Sequence, residues 1–162
     1  MLLGSALALG LVLAAGGAAG VAASLVVARM GSPRHRVTVI WTSYAAGGIW
    51  IMLMAFATQV WMVGVFSALE VGLILYGDVL WVAMMQELVP REVLGRVSSL
   101  VYLVAFSLGP LGILAGGVAA SAIGVRDALF VSGAVSGVIC VVVLFLPGVR
   151  DPERLELGAK LT

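Results

Sequence analysis

Apolar runs dominate the chain, and charges interrupt them at few places. Residues 1–28, 37–69, 97–125 and 128–149 contain no Asp, Glu, Lys or Arg. A hydrocarbon core about 30 Å thick is crossed by about 20 apolar residues in helix, so each run is long enough to span a bilayer. A soluble chain of this size has too little polar surface to cover four such runs. The stretch 37–89 is too long for one span, because it would reach roughly 80 Å at 1.5 Å per residue. It is expected to fold back at its weak polar break, Ala57-Thr58-Gln59, which Trp50 and Trp61 flank. Tryptophan favours the membrane–water interface, which suits a tight turn there. The pattern therefore predicts an all-α membrane protein with spans over 2–28, 37–57, 60–88, 93–123 and 128–146.

The breaks between spans have recognisable chemistry. Gly31 and Pro33 end the first helix, and Arg29, Arg34 and Arg36 surround them. The most polar passage in the body of the chain, 86–100, separates spans three and four, and Pro90 suits the first turn of a new helix. Pro110 removes a backbone donor inside span four and leaves the Phe106 carbonyl without its usual partner, so a kink is expected there. Residues 124–127 form a short break, and Pro147-Gly148 ends span five before a mixed-charge tail over 150–162. Glycines four apart occur as Gly16/Gly20, Gly112/Gly116 and Gly133/Gly137. Such pairs let helices approach closely in lipid, either within the chain or between copies.

Composition agrees with the pattern. The chain is 62% hydrophobic and 10% charged, against about 25% charged in soluble domains. The first apolar run lacks a basic leader and is about twice the length of a signal-peptide core, so it reads as a span. Its start at Met1, with almost nothing before the apolar residues, carries the expectation that further sequence precedes it. Five spans place every Lys and Arg except Arg126 on one side. The positive-inside rule then puts the N-terminus outside and the C-terminus in the cytoplasm of a cell (inner or plasma) membrane. A four-span arrangement would separate the Arg34 and Arg91 loops and break that asymmetry.

Candidate chemistry is sparse. Cys140 and His35 are each the sole residue of their type, so no disulfide, thiol metal site or His/Cys catalytic pair is expected. No enzyme, metal, cofactor or nucleic-acid role is anticipated. Glu70 and Asp78 are the acidic residues inside an apolar span. Their eight-residue offset is ~80° around a helix and ~12 Å along it, so both can face one cavity at different depths. Ionisable groups at bilayer depth usually face a polar interior, which makes them candidates for substrate or proton binding. A water-filled vestibule, or pairing with other polar groups, is the plainer reading. Tyr76, Trp81 and Trp41 can stack on a flat hydrophobic ligand or simply pack. Glu87, Arg91, Glu92 and Arg96 read either as a solvated loop or as a cytoplasmic latch.

Tyr76-Gly-Asp-Val-Leu-Trp81, the passage 86–100 with its Gln, Val-Pro and Leu-Gly-Arg-Val-Ser-Ser elements, Ser107-Leu-Gly-Pro-Leu-Gly112, Gly116-Gly117 and Gly124 occur in order. This series resembles the C-terminal half of major facilitator superfamily transporters, in the drug and siderophore exporter branch. The resemblance covers about 76–150 and is looser before it. It implies that the five spans correspond to helices eight to twelve of that fold. The loop at 28–36 echoes the family's loop motif without its acidic residue.

The resemblance implies the C-terminal portion of a secondary active exporter, proton-coupled, acting on small hydrophobic or siderophore-like molecules. Such a portion is incomplete without an N-terminal half, since alternating access needs two halves around a midplane site. The alternative is a small structural or accessory membrane protein that forms homo-oligomers through its glycine faces. In either case the lipid bilayer is a partner.

Overall fold

Each expected span forms one helix. The computed structural model describes residues 6–31 and 33–151, and within them runs α1 (Ala6–Met30), α2 (Arg36–Met54), α3 (Val60–Leu88), α4 (Arg91–Ile123) and α5 (Val125–Phe145). All five are long and apolar enough to cross a membrane, and no strand occurs among the described residues. The chain is thus an all-helical, multi-pass membrane protein. The start of the first expected span and the tail from residue 152 onward lie outside the described residues.

The turns follow from local chemistry. Gly31 takes φ +71°, and its N–H donates to the Val27 carbonyl at 3.0 Å, which closes α1. Positive φ costs glycine nothing, so this residue serves as the helix stop. The weak break forms as anticipated. The N–H groups of Ala55, Phe56 and Ala57 donate three residues back, and Gln59 is extended before α3 begins. The Trp61 indole N–H donates to Gln59 Oε1 at 2.6 Å and secures the turn. Pro90 caps α4, its carbonyl accepting from Val93 and Leu94. The helix then continues through Pro110 without interruption.

The expected break at 124–127 is shorter than anticipated. Gly124 alone makes the corner, at φ +89° and ψ 154°, a region essentially open only to glycine. Arg126 and Asp127 belong to the first turn of α5. Arg126 Nε donates to the buried Ala55 carbonyl at 2.6 Å, placing a cation at the C-terminal end of α2 where the helix dipole favours it. One glycine suffices because this bond holds α5 against α2 as soon as the chain has turned.

α3 packs between α1 and α2, α2 packs between α3 and α5, and α4 meets α5 and touches α3 lightly. The core is small: Val37, Ile40, Leu80 and Met84 form it, with Val149 beyond α5 packed against them. Arg36 at the start of α2 pairs with Glu87 at the end of α3. The segment 33–35, the loop at 89–90 and the end of α5 therefore share one end of the bundle, as five spans require.

Close backbone contact joins α2 to α5. A Cβ on Gly48 would lie 2.8 Å from the Gly133 carbonyl oxygen and 2.9 Å from the Gly137 nitrogen. A Cβ on Gly133 would lie 2.6 Å from the Gly48 oxygen. Gly16 and Gly20 admit Val71 and Leu75 of α3. Two of the three glycine pairs thus serve packing within the chain. A Cβ on either glycine of the third pair, Gly112/Gly116 on α4, would meet no other described element within 4 Å.

Gly48→Ala forces backbone apart and is expected to cost about 1–3 kcal/mol. Gly112→Ala meets open space and gains about 0.5–1 kcal/mol of helix propensity. Thermal unfolding of the two variants in detergent, followed by circular dichroism, should move in opposite directions.

Candidate functional site

Asp78 lies ten residues before Leu88, about 15 Å along α3 from its end, well inside a hydrocarbon layer of about 30 Å. The Tyr44 hydroxyl of α2 donates to its Oδ1 at 2.6 Å. The reach of that tyrosine depends on Gly77. A Cβ at position 77 would sit 2.7 Å from Tyr44 Cε1, so only a bare backbone lets the ring lie across α3. Trp41, one turn earlier on α2, meets the Tyr44 ring edge-on at 5.8 Å and 89°.

These groups line a cavity of about 340 Å³ between α2, α3 and α4. Its walls are Trp41 and Tyr44 of α2, Asp78, Trp81, Val82 and Met85 of α3, and Val101, Tyr102 and Ala105 of α4. Asp78 is exposed, and Trp41, Tyr44 and Trp81 are half-buried. A carboxylate has acceptor sites for about four hydrogen bonds. Among the described residues Asp78 receives one, from Tyr44. The remaining capacity faces an otherwise apolar and aromatic chamber. A second cavity, of about 350 Å³, lies toward the arginine-rich end and shares Trp41, Trp81 and Met85 with the first. Val37, Met84, Leu88, Val89 and Val149 complete it.

The other anticipated residues sit elsewhere. Glu70 is half-buried on α3 and its backbone carbonyl abuts Gly47 of α2; it does not line the cavity that holds Asp78. Tyr76 packs against the core cluster of Ile40 and Leu80, because two residues from Asp78 is more than half a turn around the helix. Trp81 does line the chamber. Glu87 is engaged within the chain by Arg36, while Arg91, Glu92 and Arg96 occupy the exposed first turns of α4. Pro110 lies farther along the same helix, beyond the cavity walls. Among the described residues no three His, Cys, Asp or Glu side chains gather as a metal would require.

Tyr44 and Tyr102 were not singled out from the sequence. The hint was present for Tyr44: a phenol in the middle of a spanning helix needs a hydrogen-bond partner, and Asp78 on the next helix is the polar group at matching depth.

Comparison with protein-family models, with curated proteins and with solved structures finds no match.

Tyr44→Phe removes one hydrogen bond and is expected to cost about 1 kcal/mol. Gly77→Ala displaces the ring as well and should cost more, about 1–3 kcal/mol. Glu87→Gln, at an ion pair in which the Arg36 side chain is 16% and the Glu87 side chain 53% exposed, should cost no more than about 1 kcal/mol. Thermal unfolding in one detergent ranks the three.

Proposed function

We propose that the chain is the C-terminal portion of a secondary active exporter of the major facilitator type, proton-coupled and acting on small amphipathic molecules. One observation carries the reading: a carboxylate at bilayer depth, held by a tyrosine, lines a chamber of ligand size. Ligand sites of small molecules span about 300–1,000 Å³, mostly apolar with a few placed polar groups. Ionisable residues within spanning helices mark substrate and proton pathways. The ordered motif series from Tyr76 to Gly124 supports the same reading.

The packing of α4 adds to it. None of its residues is buried, and Phe106 is 76% and Ile113 79% exposed. A second set of helices against this side would complete a cavity that the five helices wall only in part, as alternating access between two halves requires. The test is export of a fluorescent amphipathic dye from everted vesicles energised by a proton gradient, with the chain and an N-terminal partner half present together. Gradient-dependent transport lost in Asp78→Asn is the expected outcome. Transport absent, or unaltered by that substitution, overturns the reading.

A second reading rests on Gly112 and Gly116, the glycine pair that none of the five described helices covers. It makes the protein an accessory membrane component that self-associates through α4. Gly112→Ile should then dissociate a defined oligomer in detergent, measured by light scattering, whereas a monomeric parent protein excludes this role.

For orientation in a cell or plasma membrane, the arginine-rich end is assigned to the cytoplasm. A phosphatase reporter, active only outside the cytoplasm, should be silent when fused after residue 162. Fused in the turn at 58–59, it should be active.

A further inference from the structure

We infer that the chamber between α2, α3 and α4 binds a lipophilic organic monocation, its charge at Asp78 and its apolar body along Trp41 and Trp81 toward Leu88. The inference rests on the preceding reading of this chamber as a ligand site and names the ligand class, but it concerns binding alone.

Charge selects the sign. Among the described residues lining the two cavities, Asp78 is the one carboxylate and none is Lys, Arg or His. An anionic ligand would meet a like charge in a medium of low dielectric, where repulsion is strong. A cation supplies what the exposed carboxylate lacks beyond the single Tyr44 bond.

Ligand chemistry selects the kind of cation. A hard metal ion requires about six oxygen ligands, and here one carboxylate and one phenol converge. A polycation would need more than one acid. Four aromatic residues instead line the same cavity as the carboxylate: Trp41, Tyr44, Trp81 and Tyr102. Their faces attract weakly hydrated organic cations through the ring quadrupole.

Shape supplies the body. Trp41 and Trp81 wall both cavities, and the second, of about 350 Å³, has no charged side chain among the described residues of its lining. A ligand with its head at Asp78 therefore has adjoining apolar room beside Leu88 and Val149. The siderophore-like, anionic end of the anticipated ligand range fits this chamber poorly.

The experiment uses the whole chain in nanodiscs of zwitterionic lipid. The probes are tetraphenylphosphonium and its anionic isostere tetraphenylborate, so that shape is constant and charge reverses. Saturable phosphonium binding is expected, weakened about tenfold or more by Asp78→Asn. Asp78→Glu, which keeps the charge, should restore it, separating loss of charge from loss of fold. Val89→Trp, which fills the second cavity, should weaken it as well, and Asp127→Asn at the far end should leave it unchanged. Binding undiminished by Asp78→Asn, or borate bound as tightly as phosphonium, overturns the inference. Phosphonium binding without transport would sustain this site and sink the exporter reading; gradient-driven transport of another dye with no phosphonium binding would do the reverse.

Discussion

Backbone contact at glycine is the constraint on which the bundle depends. In lipid an apolar side chain gains little by leaving its surroundings for another helix, so association rests on close packing. Gly48 and Gly133 bring α2 and α5 together until their peptide groups touch, with Gly137 beside them. Gly16 and Gly20 let α1 settle over Val71 and Leu75 of α3. Between these seams lies a modest core in which Leu80 is 0% and Ile40 1% exposed. Where glycine is present but unopposed, on α4, the helix stays at the periphery and none of its residues is fully buried. The positions of the seams, rather than total hydrophobicity, decide which helices are neighbours.

The same logic builds the candidate site. Gly77 is a third kind of close approach, between backbone and a side-chain ring. It lets Tyr44 cross α3 and reach Asp78. The polar contact inside the membrane is thus enabled by the absence of a side chain next to it. Because α4 packs loosely, the carboxylate opens into a chamber instead of being sealed against a neighbouring helix. At the ends of the bundle, Arg36 with Glu87 and Arg126 with the Ala55 carbonyl tie α2 to α3 and to α5. The proposed transport role draws on these features together: fixed seams on one side, a loosely held helix on the other, and a charge between them.

Much of this was legible in the chain itself. Length and apolarity marked the spans, and the turn near Gln59 followed from the need to fold 37–89 back, although its polar signal was weak. The bounds of α3 agree with the expected 60–88. The break after α4 was overestimated, because Arg126 and Asp127 look like loop residues until the Arg126 bond to Ala55 is seen to draw them into α5. Within the site, Asp78 and Trp81 stood out as polar or aromatic groups at depth. Their separation from Glu70 and Tyr76 did not, since helical offset says how far apart two residues sit around an axis and nothing about where the neighbouring helices lie.

Sequence alone determined the number of spans, their approximate bounds and the end of the bundle at which the arginines gather. These depend on properties that add along one dimension: hydropathy over about 20 residues, helix-breaking residues and charge asymmetry. Tertiary structure alone decided which glycine pair is a seam and which is a bare face, and which phenol meets Asp78. It also made Trp41 and Trp81 the shared wall of two cavities. Those outcomes turn on contacts of a few ångströms between helices that the chain visits far apart, such as Tyr44 with Gly77 or Gly48 with Gly133. A linear pattern carries the identity of such residues but not their juxtaposition, because helix packing in lipid is selected by the fit of two surfaces at once.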